Sequence, residues 1–182
     1  SRMERKFKEN IASILKQPHQ YKYLVAVSGG VDSVVLLNLM YALGFDIGVA
    51  HMNYKLRGVE SDLDEVLVSS LAKKLNLPFY SKTAPLSNTN TGIQEKTRNM
   101  RYDWFKKLKD SNGYDYVVTA HHADDQLETL FMRLSRGSGL EGLGGIRALF
   151  KYLLRPLLPF SKNEIISYAK SKHLAWRDDK SN

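Results

Sequence analysis

The sequence predicts an α/β fold, a parallel twisted sheet with helices on both faces, of the Rossmann-like kind. Three observations predict it. A β-branched apolar run, Leu24 to Val27, stops at Ser28-Gly29-Gly30, and Val31-Asp32-Ser33 then opens a run that is apolar on nearly every side. Further short apolar segments alternate with amphipathic helical ones, the pattern of βαβ units. Polar loops beginning at Ser28, His51 and His121 each directly follow a strand. In a parallel sheet such loops share one rim, beyond the carboxyl ends of the strands, where ligands bind.

The elements follow in order. Residues 3–16 carry Phe7, Ile11, Ile14 and Leu15 on one helical face, and Pro18 ends that helix. Leu24 to Val27 is the first strand, and the helix after it runs to Gly44, a C′ residue. Asp46 to His51 is the second strand; His51 to Gly58 is a polar loop at its end. Ser61 to Asp64 fits a capping box, and its helix is expected to bury Leu63, Val66, Leu67, Leu71 and Leu75. Pro78 to Thr83 is a third strand, followed by a Ser/Thr/Asn loop over 84–91. Thr91 and Gln94 are expected to cap a helix over 92–109, with Ile93, Met100, Trp104 and Leu108 on its apolar side and Arg98, Arg101 and Tyr102 off it. Tyr114 to Ala120 is a fourth strand, leading into His121 to Thr129 and a helix through Arg136. A second Gly-rich loop covers 137–145; Ile146 to Leu154 reads as one strand or a hairpin. Ser161 and Glu164 cap a last helix, Ile165 to Lys172.

The 182 residues suffice for one domain with a real core. Residues 146–182 read either as its close or as the start of a linker or second subdomain. No apolar run approaches a membrane span and no signal peptide opens the chain, so the expectation is a cytoplasmic protein. The absence of cysteine excludes disulfides, iron–sulfur clusters and cysteine-based sulfur transfer. A net charge of +8 suits a polyanionic partner.

G-x-x-x-x-G-K-[ST] does not occur, and the one G-x-G-x-x-G, at 137–142, follows a helical segment rather than a strand; the loop after the first strand is S-G-G-V-D-S. Strand, glycine turn and helix start together aim backbone N–H groups and the helix dipole at an anion. Asp32 beside phosphates calls for a cation between them, and Mg2+ is the usual one. Asp125 and Glu128 stand three apart at a helix start, hence on one face, where paired carboxylates bind an ammonium group, hold Mg2+ or act as a base. Asp124 is assigned to the helix dipole. The His121-His122 pair lacks an acid before it, since Ala120 stands there, and H-E-x-x-H is absent, which disfavours a metallohydrolase. One of the two is expected to hydrogen-bond a phosphate or a base. Arg57, Arg98 and Arg101 are candidates for phosphate oxygens, and Arg136 to Gly139 for a second anion nest.

The S-G-G-V-D-S loop resembles the pyrophosphate loop, or PP-loop, of the ATP pyrophosphatases, which split ATP into AMP and pyrophosphate and adenylate an oxygen. The motifs together resemble one family in that group, the tRNA(Ile)-lysidine synthetases. They are SGGVDS at 28–33, HMNYKLRGVESDLDE at 51–65, QEKTRNMRYDWF at 94–105, TAHHADDQLETLFMRLSRGSGLEGL at 119–143, RPLLPFSKNEIISYA at 155–169 and WRDDKSN at 176–182.

The resemblance implies a PP-loop catalytic domain over 1–182, with the family's C-terminal tRNA-binding domains beyond it. It implies a ligase that adenylates the C2 oxygen of the wobble cytidine in a tRNA-Ile with anticodon CAU; the ε-amine of free L-lysine then displaces AMP. ATP and Mg2+ are the implied cofactors. Ser28, Gly29, Gly30, Val31, Asp32 and Ser33 are the implied pyrophosphate site, with Asp32 also the Mg2+ ligand. Ala50, His51 and Met52 would face adenine, and Arg57 a phosphate. Asp32, Arg101 and His121 are the implied catalytic residues, and Asp125 and Glu128 the lysine site. Departures from the family are small: Tyr54 where His is frequent and Thr97 where Ala is. Rival readings are another PP-loop adenylating synthetase and a noncatalytic tRNA- or nucleotide-binding module. The oligomeric state stays open, a homodimer included.

Overall fold

The computed structural model describes residues 1–55, 58–84, 93–137 and 145–178, with side chains in the helix that begins at Ile93 described from Arg98 onward. Six strands form one sheet: β1 (Lys22–Ala26), β2 (Asp46–Asn53), β3 (Phe79–Thr83), β4 (Tyr116–Val118), β5 (Leu149–Phe150) and β6 (Leu153–Leu154). Their order is β3-β2-β1-β4-β6-β5. All pairs are parallel except the β5–β6 hairpin at the edge. The chain steps outward from β1 to β3 and then returns to lay β4 on the other side of β1. That reversal opens a crevice between β1 and β4, the topological switch point at which such sheets bind ligands.

Alternate residues of each strand serve two layers. Tyr23 and Val25 of β1, Ile47 and Val49 of β2 and Val118 of β4 pack into the larger core. That core receives α1 (Arg2–Ile14) through Phe7 and Ile11, and α2 (Val31–Ala42), which is buried nearly all round. It also receives α6 (Lys162–Ser171) through Ile165, Tyr168 and Ala169. The Tyr168 hydroxyl ties the three helices together, accepting from Asn38 at 2.8 Å and donating to Glu4 at 2.8 Å. Leu24, Ala50 and Val117 face the opposite layer, where Phe105 of α4 (Ile93–Asn112) and Tyr114 cover them. Gly48 permits this cover, because a Cβ there would lie 2.0 Å from the Tyr114 hydroxyl.

Two helical faces differ from the sequence expectation. Helix α3 (Val59–Lys74) starts at Gly58, so Ser61 lies inside the first turn and does not cap it. Its buried stripe is Ser61, Asp64, Val68 and Ala72, whereas Leu63 and Val66 are 40% and 60% exposed. The cause is the glycine loop: a Cβ on Gly29 would lie 3.6 Å from both Asp64 Cβ and Val68 Cγ2. That close approach selects a narrow stripe, while Leu71 and Leu75 still pack on the core further along. On α4 the buried centre is Phe105, with Trp104 and Leu108 flanking it, so Arg101 one turn earlier turns toward the sheet. The expected cap at Thr91 and Gln94 lies outside the described residues.

The remaining expectations are met locally. Gly44 has φ +78° just past α2. Residues 149–154 form the hairpin, and β6 pairs with β4. Ser161 and Glu164 form a reciprocal capping box on α6.

Candidate active site

The glycine loop is organised by its own serines. Ser33 Oγ accepts from the N–H groups of Ser28 and Gly29 at 3.1 and 3.3 Å and donates to the Gly30 carbonyl at 3.1 Å. Ser28 Oγ accepts from Gly30 N–H at 3.3 Å and lies 3.2 Å from Ser33 Oγ. Gly29 holds φ +105°, a region open to glycine and strained for other residues. Three backbone donors therefore converge at the start of α2, which is the arrangement an anion needs.

The back of the loop is fastened by the chain's other end. Arg177 N–H donates to the Gly29 carbonyl at 2.9 Å, its Nε donates to Asp64 Oδ1 at 2.9 Å, and its terminal nitrogen pairs with Glu60.

In front of the loop, at the β1/β4 crevice, lies a cavity of about 240 Å³. Ser28, Gly30, Asp32 and Ser33 form one wall. Ala50, Met52 and Tyr54 form a second, from β2 and the residue that follows it. Arg101 and Phe105 of α4 form a third, and Thr119, Ala120, His121 and Asp125 a fourth. Loops separate in sequence thus meet on one rim.

Several expected site residues lie elsewhere. His51 is buried and turned to the other face of β2, where its Nδ1 donates to the Val27 carbonyl at 2.8 Å. Strand alternation is the reason: Ala50 and Met52 face the cavity, so the residue between them cannot. Gly29 and Val31 support the loop from behind without lining the cavity. Glu128, one turn beyond Asp125 on α5 (Ala123–Ser135), is exposed and does not line the cavity. Arg98 is exposed, and Arg57 and the nest at Ser138 and Gly139 fall outside the described residues.

The electrostatics are specific. Arg101 lines the cavity with its Nε buried and without a hydrogen-bond partner among the described residues. His121 Nδ1 lies 2.9 Å from Thr119 Oγ1. Burial first, then the Arg155 guanidinium, push His121 below the ordinary imidazole range, against the opposing pull of Asp125. Its ring is therefore neutral near pH 7. Burial pushes the Tyr54 hydroxyl up to about 12, so it stays a protonated donor.

Helix α5 opens on a capping box. His122 is its N-cap, with Nδ1 accepting from Asp124 N–H at 3.2 Å, while Asp125 accepts from His122 N–H at 2.8 Å. Asp125 rather than Asp124 closes the cap, and it also faces the cavity. His122 Nε2 lies 3.3 Å from Asp32.

Asp32 has a partner the sequence reading missed. Lys162 Nζ lies 2.7 and 2.8 Å from its two oxygens. The signal was present: the capping box makes Lys162 the first residue of α6, a cation at the positive end of a helix, which is unfavourable without a compensating acid.

The donor set fits a magnesium–phosphate group. Magnesium is held by one or two carboxylates plus phosphate oxygens and water, and Asp32 supplies one carboxylate beside the loop. Among the described residues no group of three or more His, Cys, Asp or Glu could hold a metal ion.

The chain is 40% identical to the tRNA(Ile)-lysidine synthase of Chlorobaculum tepidum over all of its own length and 57% of that protein. It is 40% identical to the enzymes of that name from Bacteroides thetaiotaomicron and Campylobacter jejuni, over 81% and 96% of this chain and 35% and 54% of those proteins. The chain thus spans between about a third and three-fifths of the length of these three relatives. Among solved structures it superposes on the tRNA thiolase NcsA of Methanococcus maripaludis with a TM-score of 0.78 at 15% identity, covering 97% of this chain and 65% of that one. It superposes on the NH3-dependent NAD synthetase of Campylobacter jejuni with a TM-score of 0.59 at 17% identity, covering 94% and 72%. These two likenesses show the fold. The PP-loop domain family profile matches residues 3–182, and the chain belongs to that family.

Proposed function

We propose that the chain is the PP-loop catalytic domain of an ATP-dependent tRNA(Ile)-lysidine synthetase, acting in the cytoplasm on tRNA-Ile with the CAU anticodon. The observation that carries this reading is the single cavity where the Ser28–Ser33 loop meets Arg101, His121 and Asp125. Its supports are the motif run and the similarity to synthases of that name.

In this reading the N–H groups of Ser28, Gly29 and Gly30 bind the pyrophosphate half of ATP, exchanging their serine hydroxyl partners for phosphate oxygens. Ala50 and Met52 offer an apolar wall to adenine. Asp32 is the protein ligand of Mg2+, which neutralises the polyphosphate and polarises its oxygens when bound. Arg101 turns its guanidinium, whose Nε has no hydrogen-bond partner among the described residues, toward the α-phosphate. The wobble cytidine C2 oxygen attacks that phosphorus and pyrophosphate leaves. Adenylation converts an amide-like oxygen into a leaving group.

The ε-amine of free lysine then attacks C2, the C2–O bond breaks, and AMP departs with the oxygen. Asp125 and Glu128 hold the ammonium groups of lysine on one helical face. His121, neutral near pH 7, is placed to accept a hydrogen bond from the reacting centre. A homodimer is the proposed assembly, checked by light scattering.

Pyrophosphate release is the test. In a chain carrying the remaining length of its relatives, release is expected to require unmodified tRNA-Ile, to continue past one equivalent per tRNA-bound enzyme only with lysine, and to be abolished by Asp32→Ala. Release that ignores tRNA points to another adenylating synthetase. No release, with tRNA still bound, leaves the noncatalytic module.

A further inference from the structure

Lys162 stands at an electrostatically wrong position for a reason found 130 residues away in the chain. The Ser161–Glu164 box fixes it as the first residue of α6, where the helix dipole repels a cation. Its backbone is docked on the start of α5, since Lys162 N–H approaches Asp124 Oδ1 at 3.5 Å and Ala123 N–H donates to the Phe160 carbonyl at 2.9 Å. From there its ammonium reaches both oxygens of Asp32 at 2.7 and 2.8 Å. The second neighbour of that carboxylate is His122 Nε2 at 3.3 Å. Asp32 also lines the cavity beside the Ser28–Ser33 loop, whereas Lys162 does not line it. A carboxylate among donors arranged for phosphate repels the ligand those donors attract.

We propose that Lys162 is a positioning residue for the nucleotide, the built-in counter-ion that neutralises Asp32 and lets the loop accept polyphosphate before any metal ion arrives. Its action runs through Asp32, so it substitutes in part for a divalent cation. The inference rests on the nucleotide reading of the cavity.

The test is ATP affinity measured by calorimetry, with Mg2+ and with EDTA, for the wild type, Lys162→Met and Lys162→Arg. In EDTA, Lys162→Met is expected to weaken ATP binding about fivefold or more, while Mg2+ closes most of the gap. Lys162→Arg keeps the charge and is expected to stay near wild type in both media. Both residues of the pair are partly exposed, at 39% and 27%, so the Met variant should fold, which a thermal melt checks. Equal affinities for Met variant and wild type in EDTA overturn the proposal. So does an equal loss in both media, which marks a general structural effect. Wild type that binds no ATP in either medium overturns the nucleotide reading itself, and this inference with it.

Discussion

Residue by residue, the cavity holds groups whose titration its walls shift. His121 is the clearest. Burial and the Arg155 guanidinium favour its neutral form, and Thr119 orients its Nδ1 edge. The sign of the consequence follows from proton linkage. The folded value lies below the ordinary 6.5, so between the two values the unfolded chain binds more protons. Stability therefore rises with pH across that window, is fully present above about 6.5, and is lost as pH falls toward the folded value. Urea unfolding from acidic to neutral pH checks this: His121→Gln should lose less stability on acidification than wild type. If wild type instead gains stability from His121 on acidification, Asp125 holds an imidazolium there and the neutral assignment fails. His121 was legible in the sequence as a rim residue, because it follows a strand. Its charge state was not, because Arg155 comes from a different element.

At the level of one element, α5 carries two acidic residues expected to act together, and their surroundings differ. Asp125 accepts the His122 N–H and closes the cap while lining the cavity; Glu128 is exposed one turn on. Asp125→Ala is thus expected to cost about 1 kcal/mol of stability, as cap losses do. Glu128→Gln should leave stability within about 0.5 kcal/mol and, on the proposed function, raise KM for lysine more than KM for ATP. Equal increases in both KM values would remove Glu128 from amine recognition. The helix start was readable from H-H-A-D-D-Q, whereas the capping box that Asp125 closes with His122 was not. His is a weak N-cap by propensity, so nothing in the sequence favoured counting the turn from His122. The same limit explains α3, where leucine and valine spacing pointed to one face and the closeness of Gly29 selected another.

Across the whole molecule, the shared rim was legible because all parallel strands end on one edge, whatever their order. The order itself was not, since alternation of strands and helices leaves open on which side of β1 the fourth strand lands. That placement creates the crevice, and it also brings the last described residues behind the phosphate loop. Arg177 there bridges Gly29, Glu60 and Asp64, while Trp176 packs against the larger core. The loop is consequently held by serines in front and by the chain's far end behind. Arg177→Ala retains the backbone bond to Gly29 and removes the guanidinium fork. Charge-assisted hydrogen bonds lost at a partly buried site cost about 1.5–3 kcal/mol, and that shift in urea midpoint is the expected result, together with weaker ATP binding. Arg177→Lys should recover little of it, because one ammonium cannot reproduce a fork directed at two carboxylates. An unchanged midpoint would mean that Trp176 packing and the Gly29 bond alone seat the segment, and that α3 and the phosphate loop are not coupled through it.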